Sequence, residues 1–298
     1  MQTVYLEYVP KLGAYGVKER VISDLTARNE IAEILLPETL DYASDTSTPI
    51  IGFLLGEDTL DTGDRYYTIG KNYLQAILNT GVVIRFLDYD HPLEQMQNCQ
   101  GFVLPGGHFD NPECFYIEGR SPGHPVGKRY LAYQAVIMQS YQEHKPMLGI
   151  CAGAQMIGAL LGNMKMYRQI PETGPNPIRH KPQEASEVCM HPLRLIPDTP
   201  LYEIMGIYPS ENHIMMNSRH SQAMVPGCHM GKQPVVKMDV YAVSEGDNIP
   251  EIWGNDRAGI LCIQGHPEDL ITDKKMQNLY GYIAKKASEY KAGMPIPQ

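Results

Sequence analysis

A cysteine placed between an apolar run and a helical pattern is the residue in this chain best suited to act as a nucleophile. Residues 147–163 read MLGICAGAQMIGALLGN, with Gly149 and Gly153 bracketing Cys151 as G-x-C-x-G. This is the thiol counterpart of the G-x-S-x-G elbow, in which a sharp strand-to-helix turn holds the nucleophile clear of the sheet. The positive end of the following helix favours a thiolate there; the competing reading is a small buried hydrophobe. A thiol nucleophile needs a base, a group that orients the base, and donors for the oxyanion. Of the ten histidines, His266 is distinctive, following the apolar run in GILCIQGHPED (259–269). Residues two apart in extended chain face the same way. Glu268 can therefore accept one imidazole N–H and turn the other nitrogen toward a thiol. Taken alone, the pair reads equally as a strand-end histidine beside a solvated carboxylate. Gly106-Gly107 lets backbone N–H groups approach a ligand because no Cβ intervenes. The N–H of Ala152, next after the nucleophile, is the expected second donor.

These residues need elements that bring them together, and the periodicity from residue 49 onward supplies them. PIIGFLLG (49–56), VVIRFLDY (82–89), GFVLPGG (101–107) and PMLGI (146–150) read as buried strands. YYTIGKNYLQAILNTG (66–81) reads as a helix closed by Gly81, and residues 125–144 as a helix opening with Pro125. Strands alternating with helices predict an α/β fold, flavodoxin-like, with a mainly parallel central sheet covered by helices on both faces. Ligands in such sheets bind beyond the carboxyl ends of the strands, where Gly106-Gly107 and Cys151 both fall. Residues 164–187 are rich in Pro and polar residues without a period, which predicts an irregular functional loop or lid. The pattern then turns β-rich through CMHPLRLI, HIMMNS, VVKMDVYAV and GILCIQG, a smaller C-terminal part. A final helix follows over about 272–290, with Leu279, Tyr282 and Ile283 on its core face. Residues 1–48 read as an accessory extension that packs on the domain or on a second subunit of a homodimer. Within it, KERVISDLTARNEIAEILL is a candidate amphipathic helix. Residues 49–290 form the catalytic domain and 291–298 a tail.

Composition narrows the function classes. The 298 residues carry a formal net charge of −9 with basic residues scattered, which argues against a nucleic-acid or anionic-membrane surface. No apolar run approaches a membrane span, and the first residues lack the basic and apolar regions of a secretory signal. Six cysteines without a C-x-x-C pair fit neither a disulfide framework nor a zinc pattern. A cytoplasmic enzyme acting on a small molecule is the expectation.

In order, LPGG (104–107), the Cys151 elbow and G-H-P-E (265–268) resemble the class I glutamine amidotransferase superfamily. Within it, HPLRLIPDTPLYEIMG (191–206), MNSRHSQAM (216–224) and GGHFDNPECFY (106–116) are similar to the γ-glutamyl hydrolase branch, peptidase C26, that includes γ-glutamyl-γ-aminobutyrate hydrolase. The resemblance covers about residues 49–290. It implies Cys151 as nucleophile, His266 as general base and acid, and Glu268 as its orienting carboxylate. Gly107 and Ala152 would form the oxyanion hole. Gly106, Gln155, Asn217, Ser218 and His220 would hold the γ-glutamyl group, with His191 in a matching segment. The reaction implied is hydrolysis of a γ-glutamyl amide through a thioester, with neither metal nor organic cofactor. Two alternatives stay open: a glutaminase subunit passing ammonia to a separate synthase, and a γ-glutamyltransferase with an amine acceptor. No P-loop of the G-x-x-x-x-G-K-[ST] kind accompanies the motifs. Many members of the branch carry Arg after the nucleophile, where this chain has Ala152; the backbone donor survives that change.

Overall fold

Five apolar segments pair in parallel, in the order Val83–Leu87, Ile50–Leu54, Gly101–Leu104, Met147–Ile150 and Ile260–Ile263. The computed structural model of the protein describes residues 1–37, 47–108, 111–118, 126–171, 178–184, 187–231 and 233–294. The three strands nearest the site, GFVL, MLGI and ILCI, are buried at every position, as a sheet covered on both faces requires. Gly149 stands opposite Leu104 on one side and Cys262 on the other. The carboxyl ends of these strands thus coincide, and whatever follows them arrives at one edge. The Cys151 N–H extends the ladder by one more bond, to the Ile263 carbonyl at 2.7 Å.

Helices Ala152–Leu160 and Lys128–Gln142 pack together over one face, and Lys274–Lys291 packs with Lys71–Leu78 over the other. Glycines set the distances. A Cβ on Gly149 would lie 2.8 Å from the backbone of Ala154, and one on Gly153 would lie 2.0 Å from the Leu104 carbonyl oxygen. The G-x-C-x-G spacing is thus a packing requirement of the helix that follows Cys151. Gly153→Ala is expected to destabilise the protein by about 3 kcal/mol, at the top of the range for overpacked cores, because the atoms in its way are backbone. Urea denaturation reads this directly, and a loss near zero would mean the helix can move away from the sheet.

The structure corrects several sequence expectations. Residues 66–81 are a strand, Arg65–Gly70, followed by a helix, Lys71–Leu78. The aromatic and β-branched run YYTI pairs with Ala14–Lys18, a partner 50 residues away that periodicity cannot reveal. The amphipathic stretch near the N-terminus is a helix only over Glu19–Thr26; the chain turns at Asn29 (φ 58°) into the strand Ala32–Leu35. Gln2–Tyr5 and Ala32–Leu35 pair in parallel and lie at the edge of the central sheet, where Ile34 meets Phe86. Glu7–Val9, Ala14–Lys18, Arg65–Gly70 and Gly56–Thr59 form a separate four-stranded sheet. The first residues are therefore woven into both sheets.

At the other edge, Pro250–Asn255, Asp239–Ser244, Met190–Leu195 and His213–Asn217 continue the same sheet in antiparallel order. Residues 164–187 are not wholly irregular, since Met164–Tyr167 pairs with Ala223–His229. Residues 172–177 and 185–186 of the expected lid, and Pro125 at the expected helix start, lie outside the described residues. The last helix runs over Lys274–Lys291 with Leu279, Tyr282 and Ile283 buried, and Asp273 caps it by accepting the Lys275 N–H at 2.8 Å. Among the described residues, no helix is long and apolar enough to cross a membrane.

Candidate active site

Cys151 has φ 51° and ψ −114°, a conformation costly for a non-glycine residue and held here by the ladder bond to Ile263 and by the helix that starts at Ala152. The strained turn lifts the thiol off the end of its strand while leaving it 8% exposed. His266 follows the neighbouring strand, and its Nδ1 lies 2.6 Å from Glu268 Oε1. That carboxylate is 1% exposed and has further partners in Tyr280, whose hydroxyl donates to Oε2 at 3.5 Å, and Arg219 at 3.4 Å. Burial opposes a charge on the imidazole. The Glu268 carboxylate beside it, together with Cys151, which is within hydrogen-bonding reach, outweighs that and holds the His266 pKa up to about 10. The ring is thus kept as an imidazolium facing the thiol, the state a thiolate nucleophile needs in its partner.

The chain at Gly106-Gly107 is equally constrained. Arg129 Nη2 donates to the Gly106 carbonyl at 2.7 Å, and Arg129 Nη1 to the His108 carbonyl at 3.2 Å. Because the peptide is trans, fixing the Gly106 carbonyl sends the Gly107 N–H the other way. Gly107 has φ 137°, and a Cβ there would overlap the Arg129 guanidinium at 2.3 Å, so only glycine fits. Tyr73 ties this stretch to the histidine. Its hydroxyl accepts the Gly106 N–H at 3.1 Å and lies 3.4 Å from His266 Nδ1. Sequence reasoning misses Tyr73, Arg129 and Tyr280; their signal is a long-range contact, invisible without the fold.

A pocket of about 210 Å³ opens on the thiol and is lined by Gly107, Cys151, Ala152, Gln155 and His220, bringing five of the expected site residues together. Asn111 and Arg219 line it as well. Gln155 donates its amide to the Gln222 carbonyl at 2.9 Å and to Gln264 Oε1 at 3.0 Å. Asn217 and Ser218 do not line this pocket. The Asn217 side-chain oxygen accepts the His266 N–H at 3.2 Å, so it positions the histidine loop. Ser218 is fully buried and donates to the His180 carbonyl at 2.6 Å. Gly106 instead faces a larger cavity of about 810 Å³ that shares Gly107 and His108 with the small pocket. Its far wall carries Glu19, Glu57 and Arg65, with Arg65 bridging the two glutamates at 3.0 and 3.5 Å. Phe109 and Asp110, in the segment after Gly106-Gly107, lie outside the described residues.

The family model for peptidase C26 matches residues 49–268, which include the Cys151 elbow, Gly106-Gly107 and the His266–Glu268 pair. The chain belongs to the peptidase C26 family. Protein NtpR of Enterococcus hirae is 24% identical over 173 residues, which are 56% of this chain and 65% of that protein. The glutamine amidotransferase-like protein YvdE of Lactococcus lactis is 25% identical over 190 residues, 59% of this chain and 72% of that one. This chain therefore spans just under two thirds of the length of NtpR. Among solved structures, the glutaminase domain of Trypanosoma brucei CTPS with bound acivicin aligns at TM-score 0.55 and 14% identity, covering 81% of this chain and 94% of that one. A Thermoplasma acidophilum protein assigned to GMP synthase aligns at TM-score 0.50 and 16% identity, over 80% of this chain and 95% of that one. This peptidase C26 member thus shares the parallel-sheet architecture of glutaminase domains.

Proposed function

We propose that this peptidase C26 protein is a cysteine-dependent hydrolase of γ-glutamyl amides, of the branch that includes γ-glutamyl-γ-aminobutyrate hydrolase. The observation that carries the reading is the strained Cys151 elbow facing an imidazole that a buried carboxylate keeps charged. The Cys151 thiolate attacks the γ-carbonyl carbon, and the oxyanion rests on the N–H groups of Gly107 and Ala152. The C–N bond then breaks as His266 passes its proton to the departing amine, leaving a γ-glutamyl thioester. Neutral His266 next takes a proton from water, hydroxide attacks the thioester, and glutamate leaves with the thiolate restored. The small pocket takes the glutamyl group, with Arg219 the cation for its α-carboxylate. The larger cavity beyond Gly107 takes the amine, and its size favours a leaving group bigger than ammonia. The protein is expected to act in the cytoplasm on a small molecule.

The second reading is a glutaminase that delivers ammonia to a separate synthase. It is favoured by the architecture shared with the CTPS glutaminase domain. Mass-spectrometric detection of glutamate released from a panel of γ-glutamyl amides, γ-glutamyl peptides and glutamine separates the two. Cleavage of γ-glutamyl compounds with glutamine left intact is the expected result. Turnover of glutamine alone would overturn the hydrolase reading in favour of the glutaminase.

A further inference from the structure

Behind the small pocket, four segments remote in sequence bring three histidines and a glutamate to one point. His191 lies on the strand Met190–Leu195 and Glu251 on Pro250–Asn255, while His180 and His220 lie on loops that cross above them. None is more than 5% exposed. One donor atom from each lies within 4.8 Å of all the others. Glu251 Oε1 stands 3.2 Å from His180 Nδ1, 3.6 Å from His191 Nε2 and 3.6 Å from His220 Nε2. Four ligands arranged tetrahedrally at about 2.0–2.1 Å from one ion sit about 3.3 Å apart, so the carboxylate already has the spacing of such a set. The widest pairs, up to 4.8 Å apart, would have to close by about 1.5 Å to reach that spacing.

Beyond these contacts with Glu251 the donors have little other use. His180 Nδ1, both nitrogens of His191, His220 Nε2 and both Glu251 oxygens are buried without a hydrogen-bond partner. Buried polar atoms are ordinarily paired, and six orphans at one point call for a shared partner. One protonated ring, His180, would sit between the Asp247 and Glu251 carboxylates at 2.8 and 3.2 Å, but a second would place like charges side by side, since the His180 ring centroid is 4.8 Å from that of His191 and 4.9 Å from that of His220. A single divalent ion takes one donor from each residue with neutral rings, four of these six atoms, and leaves over the second nitrogen of His191 and the second oxygen of Glu251. Two of the three outward nitrogens, those of His180 and His220, are held as ligating histidines usually are. His180 Nε2 lies 2.8 Å from Asp247 Oδ2, and His220 Nδ1 lies 2.9 Å from the Gln222 carbonyl. Asp247 is itself fixed, accepting from the Ser244 hydroxyl and from the Ile249 N–H.

We propose that His180, His191, His220 and Glu251 bind one divalent transition-metal ion, of which zinc best suits three imidazoles and one carboxylate. Four protein ligands leave no open position, so the ion is structural. It clamps the loops around His180 and His220 to the strands beneath. The Gln222 carbonyl receives both the outward N–H of His220 and the amide of Gln155, so the clamp fixes the back wall of the pocket beside Cys151. This moves His220 from substrate to metal, because its ring nitrogens are directed at Gln222 and at Glu251. The sequence alone predicts no metal because the four ligands fit no local spacing pattern.

The test is the metal content of the full chain, purified without chelator, measured by plasma mass spectrometry for the unaltered protein and for Cys151→Ala. One ion per chain in both is expected. Zinc competition against a chromophoric chelator should then show His191→Ala and Glu251→Gln weakened at least ~100-fold, beyond the loss typical of outer-shell changes. Cobalt(II) in place of zinc should give the intense visible bands of a tetrahedral site. Folded protein that neither carries nor takes up an equivalent of zinc would overturn the proposal, as would loss of the metal in Cys151→Ala, which would place it on the thiol. Unchanged affinity in both ligand variants would also overturn it. Should those variants fail to fold, the metal content of the Cys151→Ala protein decides.

Discussion

Replacing Cys151 with alanine is expected to lower glutamate release by about 10⁴-fold or more, the scale on which a covalent enzyme loses rate without its nucleophile. The reasoning is that the other parts of the site act only on an intermediate that Cys151 must first form. His266 can activate water, but in this arrangement its charge is set partly by the thiol, and among the described residues no second cysteine lines the pocket. The remaining described cysteines offer no substitute: Cys99, Cys189 and Cys262 are buried, Cys114 is exposed, and Cys228 lies on the strand Ala223–His229. Alanine retains the backbone that closes the ladder to Ile263 and supplies the helix start, so substrate binding by calorimetry should persist while turnover disappears. Acid quench of the unaltered protein during turnover should reveal the mass of a γ-glutamyl adduct that Cys151→Ala lacks. Residual activity above about one part in a hundred would place the nucleophile elsewhere.

The parts of this site that were legible in sequence share one property: each directly follows a run of buried apolar residues. Gly106, Cys151 and His266 come just after GFVL, MLGI and ILCI. Parallel pairing makes the ends of such runs neighbours, so reading the strands was enough to gather the residues. Glu268 was legible as the partner of His266, though a 3-10 turn over Pro267–Leu270, not extended chain, brings its carboxylate to the ring. What escaped depends on pairings between distant segments. Tyr73 belongs to a helix whose first turn meets the chain at Gly106 only because Arg65–Gly70 pairs with residues 14–18. Arg129 sits at the start of a helix, where a basic residue has no particular meaning until its guanidinium is seen on the Gly106 carbonyl. Asn217 and Ser218 stood in a segment that matched the branch, yet their side chains face the His266 loop and the His180 carbonyl. The cluster of His180, His191, His220 and Glu251 was hidden for the same reason, its members lying far apart along the chain. The N-terminal residues show the limit most clearly. Read only as an accessory segment packing on the domain or on a second subunit, they give Glu19 to the wall of the larger cavity and strands to both sheets.

The second large effect is expected at His266, and comparison of two substitutions separates its roles. His266→Ala removes base and acid together and should cost as much as the loss of Cys151, since the two act as a unit. Glu268→Gln keeps the imidazole but removes the carboxylate that favours its charge. An amide oxygen at the same place can still accept the Nδ1 proton, and an amide nitrogen there would turn the ring to the wrong tautomer. The expected cost is on the order of 10²–10⁴-fold in kcat/KM at neutral pH. The pH profile carries the sharper signature. In the unaltered protein the His266 pKa is raised from 6.5 to about 10, with burial opposing the charge and Glu268 and Cys151 prevailing. Between those values the folded protein binds a proton that the unfolded chain releases. The stabilisation is therefore complete below about pH 6.5 and is lost as pH rises through about 10. Removing Glu268 lowers the upper limit. The alkaline limb of kcat/KM should move to lower pH in Glu268→Gln, and urea unfolding should show a smaller stability difference between pH 7 and pH 10 than in the unaltered protein. An alkaline limb that stays in place would mean that the thiol alone sets the charge of His266, leaving Glu268 only to orient the ring.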